Sequence, residues 1–164
     1  MKGIIVFYSY SGNTGKTASL LAESLKDQGD IQLCELKSLD ESGSFFRQAA
    51  RAFGRARSVL PEMDFNLGPY DVICMGTPVW AFGPAPAMNT YLDRCSGLEG
   101  KTVVLFTTYG SGTGNGRCLD YMQNILTGKG AKAFKRFSIP QVKVNDREYA
   151  LSTIKQALNL GSRG

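Results

Sequence analysis

Three hydroxyl residues surround a Gly-Asn pair in Ser9-Tyr10-Ser11-Gly12-Asn13-Thr14. The segment follows an apolar run and opens a stretch with helical periodicity. Hydroxyls at 9, 11 and 14, with the free amides of a helix N-terminus, supply what a phosphate dianion needs: several donors and the positive end of a helix dipole. No cationic side chain is required. Ser, Asn and Thr also cap helices by themselves, but three hydroxyls exceed what one cap uses. A bound phosphate is the expected role. Two other phosphate loops are excluded. A P-loop ends in Gly-Lys-[Ser/Thr], which Gly15-Lys16-Thr17 supplies, but its opening glycine is replaced by Tyr10. A G-x-G-x-x-G fingerprint needs three glycines, and only Gly12 and Gly15 stand there.

Two further segments are unusual. Residues 77–86 present Trp80 and Phe82 on a chain stiffened by Pro78, Pro84 and Pro86. A large aromatic face is a good partner for a flat apolar ring; packing of Trp80 into a satellite core is the competing role. Residues 108–116 carry glycine at 110, 112, 114 and 116, which lets backbone amides approach a ligand closely. The competing role is a merely flexible loop.

Composition removes other chemistries. The chain has no histidine, so Ser-His-Asp and Cys-His catalysis and all His-containing metal sites are excluded. Cys34, Cys74, Cys95 and Cys118 show no metal-like spacing. They are expected to be buried, reduced thiols, which points to the cytoplasm. Residues 72–92 are uncharged, but their prolines and glycines break any membrane helix. The net charge of +5 is mild and lacks an aromatic–basic stripe, so neither nucleic acid nor membrane is an expected partner. The excess is uneven: no acid lies between Glu41 and Glu62, where Arg47, Arg51 and Arg55 fall on one helical face. That row is a solvated face or a docking surface for an acidic partner.

The elements that position these loops follow from periodicity. Strands are predicted at 3–8, 31–36, 70–76, 101–107 and 132–139, and helices at 14–28, 44–57, 87–96, 117–127 and 146–159. The last helix is expected to start with an Asn145-x-x-Glu148 capping arrangement and to stop at Gly161. Strands alternating with helices imply a doubly wound α/β sheet, parallel, with right-handed crossovers and helices on both faces. In 164 residues without repeat or linker this makes one domain, 1–164. Ligands bind such sheets beyond the carboxyl ends of the strands, which selects the loops at 9–14, 77–86 and 108–116.

The [ST]-x-[ST]-G-N-T loop after the first strand resembles the phosphate signature of the flavodoxin family, and residues 9–14 match it in full. Gly76-Thr77-Pro78-Val79-Trp80, with Pro86 and Tyr91-Leu92 beyond, is similar to a G-[ST]-P-x-W…P…[FY]-L pattern of flavodoxin-like proteins. The likeness extends over the whole chain in element order and implies a short-chain flavodoxin-like domain, five parallel strands in the order 2-1-3-4-5, binding FMN without a covalent bond. By that resemblance Ser9, Tyr10, Ser11, Gly12, Asn13 and Thr14 hold the phosphate, while Thr77, Pro78, Val79, Trp80, Thr108, Tyr109, Gly110 and Gly112 surround the ring. Electron transfer with a redox protein or small-molecule donor or acceptor is the implied function. An FMN-dependent NAD(P)H:acceptor oxidoreductase is the alternative, and a flavin-free phosphate-binding module a third reading. One departure stands out. Flavodoxins place a glycine after the aromatic loop residue; here it is Ala81, a residue for which φ > 0 costs roughly 1–2 kcal/mol.

Overall fold

The computed structural model describes residues 1–40, 57–110 and 112–160. Its elements are β1 (Lys2–Phe7), α1 (Asn13–Leu25), β2 (Asp30–Glu35), β3 (Val72–Trp80), β4 (Gly83–Pro84), α2 (Pro86–Arg94), β5 (Thr102–Tyr109), α3 (Asn115–Gly128), β6 (Ala133–Pro140) and α4 (Arg147–Leu158). The sheet runs β2-β1-β3-β5-β6, all parallel, with β4 attached antiparallel to β3. Counting only the five long strands, this is the predicted order 2-1-3-4-5.

Strand alternation divides the core. Ile4, Val6, Ile73, Met75, Val103 and Leu105 face Met88, Tyr91 and Leu92 of α2 and Leu119, Met122 and Leu126 of α3. Their neighbours Ile5, Phe7, Cys74, Val104 and Phe106 face Ala18, Leu21 and Leu25 of α1 and Ala150, Ile154 and Leu158 of α4. Central strands are thus apolar on both faces, as a covered parallel sheet requires.

Three expectations are corrected. The predicted third strand ends at 76, but β3 continues to Trp80, because Thr77 and Pro78 stay in register with Thr107 and Thr108 of β5. Beyond Trp80 the chain forms a hairpin rather than an open loop. Trp80 pairs with Gly83, leaving Ala81 (φ 48°) and Phe82 (φ 66°) as the two-residue connection. Positive φ at both central positions suits the right-handed twist of a two-residue hairpin, so Ala81 does adopt the conformation its side chain disfavours. Finally, the cap of α4 is Asp146, whose Oδ1 accepts from the Tyr149 amide at 3.0 Å. Asn145 is diverted, its Oδ1 accepting from Lys16 Nζ at 2.9 Å.

The predicted helix 44–57, with Arg47, Arg51 and Arg55, lies outside the described residues except for Arg57. That residue is non-helical and grips Asp93 through Nε at 2.6 Å and Nη2 at 3.1 Å. Gly161, the predicted stop of the last helix, also lies outside.

Gly76 has a steric cause that no sequence pattern exposes. A Cβ there would stand 2.1–2.6 Å from three ring carbons of Phe106. That ring is fully buried and lies on Phe137, centroids 5.4 Å apart and planes 7° from parallel, so it has nowhere to yield. Overpacking usually costs about 1–3 kcal/mol and occasionally more; Gly76→Ala should reach the upper part of that range, roughly 3 kcal/mol. Chemical denaturation measures it, and adding Phe106→Leu should recover part of the loss. Additive destabilisation in the double variant would contradict the assigned contact.

All four cysteines are free; Cys74, Cys95 and Cys118 are buried and Cys34 half-buried. Burial pushes the Cys95 thiol from its ordinary 9.0 up to about 11, with Lys129 opposing. Above about pH 9 the unfolded thiol ionises while the folded one does not. The stability it contributes is therefore complete below pH 9 and is lost as pH rises through 11. Urea midpoints at pH 8 and pH 11 should show a smaller alkaline drop for Cys95→Ala than for the parent chain.

Candidate flavin site

The carboxyl ends of β1, β3 and β5 converge on one cavity of about 600 Å³. Tyr10, Ser11 and Asn13 line it from the first loop, Pro78, Val79 and Trp80 from the end of β3, and Thr108, Tyr109 and Gly110 from the end of β5. Gln141, just past β6, completes the lining. None of these residues is charged.

The first loop gathers hydrogen-bond donors at a helix N-terminus. Gly12 occupies the N-cap of α1 at φ 91°, a left-handed conformation, and, having no side chain, makes no cap hydrogen bond of its own. The leading amides of a helix have no helical acceptor, so those of Asn13 and Thr14 are aimed outward at the N-terminus. Ser9 Oγ accepts from the Gly15 amide at 3.1 Å, and Ser11 Oγ accepts from Asn13 Nδ2 at 3.3 Å. Each hydroxyl thereby keeps its own proton to donate. Thr14 is different: it is buried, and its Oγ1 lies 2.8 Å from Thr108 Oγ1, tying the first loop to the third. Donors and a helix dipole without a cation fit a phosphate ester.

Aromatic side chains wall the cavity at the end of β3. Trp80 is only 7% exposed and sits edge-on between Tyr8 (centroids 5.8 Å, 84°) and Tyr10 (5.6 Å, 80°). Trp80 belongs to the core and also lines the cavity. Thr77 does not reach the lining. It is fully buried, its Oγ1 accepting from the Ala85 amide and donating to Pro78 O, both at 3.0 Å, so it fastens the hairpin. Gly112 (φ 68°) is also outside the lining.

The third loop uses its glycines unequally. A Cβ on Gly114 (φ 95°) would fall 2.5 Å from Phe82 Cδ1, so this glycine lets the β3–β4 hairpin tip pack against the start of α3. The Arg117 guanidinium stands 5.3 Å from the Phe82 ring centroid on the same side. Among the described residues no cluster of potential metal ligands occurs, and no helix is long and apolar enough to cross a membrane.

Comparison with known proteins decides the relationship. Residues 3–144 match the profile of the family described as NADPH-dependent FMN reductase. The chain belongs to that family. Its fold is flavodoxin-like. The chain is similar to a flavoprotein from Lactobacillus acidophilus NCFM solved in complex with FMN: 23% identity, TM-score 0.63, covering 90% of this chain and 98% of that one. Flavodoxin 1 from Bacillus cereus gives 20% identity and TM-score 0.64, covering 97% and 98%. An apo NADH:FMN oxidoreductase gives 18% and 0.64, covering 99% and 92%. A flavodoxin and an oxidoreductase are therefore equally close in shape, and shape alone does not separate them. Family membership does bear on the question, and it favours the reductase reading over the electron-carrier reading that the phosphate loop first suggests. FMN is the cofactor of this FMN reductase family member, and the cavity, whose described lining residues carry no charge, fits it.

Proposed function

We propose that the protein is an FMN-dependent oxidoreductase that takes a hydride from NAD(P)H and passes electrons to a small acceptor such as a quinone or a free flavin. The observation that carries this reading is the match to the reductase family over residues 3–144. Bound FMN supplies the redox chemistry, accepting two electrons at once and releasing them again.

The chain's own residues bind, orient and tune. In this reading Ser9 and Ser11 donate their hydroxyl protons to the phosphate, and the amides opened by Gly12, from Tyr10 through Thr14, complete the cradle. Pro78, Val79 and Trp80 on one side and Tyr109 on the other confine the ring. Thr108 holds the two loops in register through Thr14, and the backbone at Gly110 closes the far edge. Among the described residues the lining holds no carboxylate, which matters for tuning, since none of them repels an anionic reduced ring. That supports two-electron traffic over the strongly reducing behaviour of an acidic carrier. The free thiols support work in a reducing compartment such as the cytoplasm.

Steady-state NADPH consumption tests the proposal. With a quinone or FMN in excess, the purified flavoprotein should oxidise many equivalents of NADPH per protein. Consumption that stops at one equivalent of bound flavin, or never starts, would leave the electron-carrier reading in its place.

A further inference from the structure

Gln141 carries no motif, yet the fold delivers it to the ring side of the cavity. Tyr109 and Pro140 are partners in the parallel register of β5 and β6, so the next residues along each strand, Gly110 and Gln141, emerge side by side. A short 3-10 turn, Gln141–Lys143, then fixes the backbone: the Val144 amide donates to Gln141 O at 3.3 Å, and Val144 itself is anchored in the core. The carboxamide lies across Gly110. Its Nε2, Cδ and Oε1 stand 3.3, 3.5 and 3.7 Å from the point a Cβ on that glycine would occupy. Any side chain at 110 would press on it.

Gln141 is exposed, and among the described residues its carboxamide has no hydrogen-bond partner in the protein, so at the rim of the cavity it meets water and is available to a ligand. The other side-chain amide of the lining, on Asn13, is engaged with Ser11 at the phosphate end. A primary carboxamide offers donors and an acceptor in one plane. Its complement is a planar edge that alternates acceptor and donor. The pyrimidine half of an isoalloxazine has that edge, an N–H between two carbonyls.

We propose that Gln141 pairs with the pyrimidine edge of the flavin and selects that ring orientation. The inference rests on the reading of the cavity as an FMN site. The competing role is packing alone, with the side chain serving to cover Gly110. Gln141→Met separates the two, because it preserves length and apolar contact and removes both hydrogen bonds. It should weaken FMN and riboflavin by the same factor, about tenfold, since the lost bonds involve the ring and not the phosphate. Thermal stability of the flavin-free protein should not change. Gln141→Glu adds a second readout: a carboxylate beside the edge where reduction deposits negative charge should make the midpoint potential of the bound flavin more negative. A Met variant that binds both ligands as tightly as the parent chain, or a Glu variant with an unshifted potential, would overturn the assignment. If the parent chain itself failed to bind FMN, the reading of the cavity would fall, and this inference with it; loss of the Gln141 effect alone would leave that reading intact.

Discussion

Replacing Ser11 by Asp should all but abolish FMN binding while leaving riboflavin binding nearly unchanged. Ser11 lines the cavity at the phosphate end, and its hydroxyl retains its proton because the oxygen already accepts from Asn13 Nδ2. The substitution removes that donor and sets a carboxylate beside a dianion. Two unit charges about 4 Å apart interact by roughly 4 kcal/mol at the effective dielectric near a protein surface, and a factor of ten in affinity needs about 1.4 kcal/mol. A loss of at least about a hundredfold is expected for FMN on these terms. Riboflavin has no phosphate and should lose less than about threefold, within the scatter of a surface substitution. Fluorescence titration with both ligands measures the contrast. Equal losses would mean that the first loop does not carry the phosphate.

Trp80→Ala should show the opposite pattern, with FMN and riboflavin weakened together. The residue is 7% exposed, belongs to the core, and is wedged edge-on between Tyr8 and Tyr10. Truncating a buried large aromatic costs about 3–5 kcal/mol of stability, and aromatic contacts of this kind add about 0.5–1.5 kcal/mol per pair. Denaturation should register the first loss and ligand titration the second. Trp80→Phe should recover much of the stability. Bound flavin should become brighter in the Ala variant, since the indole is its expected quencher. A large stability loss with unchanged affinity for both ligands would make Trp80 a core residue and nothing more.

The first loop is readable because its chemistry is local. Gly12 at the N-cap, the serine hydroxyls and the leading amides of α1 all come from one hexapeptide, and the resemblance it carries leads to the right family. The α/β order is readable for a similar reason: the five long strands and the helices α1 to α4 announce themselves by their own periodicity, whereas the two-residue β4 does not. The hidden features depend on partners distant in sequence. Thr77-Pro78 reads as a break, yet registry with Thr107 and Thr108 carries β3 onward. The hairpin at 80–83 lacks the Asn-Gly signal its backbone would suggest, and Ala81 and Phe82 take positive φ with Phe82 packed against Gly114. Gly76 reads only as the end of a predicted strand, but the ring of Phe106 is the group that excludes a side chain there. Gln141 has no local signal at all; only the register of β5 with β6 brings it beside Gly110.

Direct hydride transfer into the cavity is the step on which the functional account depends, and one measurement addresses it. Protein loaded with FMN is mixed without oxygen with NADPH in a stopped-flow instrument, and the visible flavin absorbance is followed. Bleaching is expected in a single two-electron phase, at a rate that saturates with NADPH concentration and slows when the transferred hydrogen is deuterium. Bleaching no faster than that of free FMN, in a protein that a one-electron donor reduces readily, would contradict direct hydride transfer.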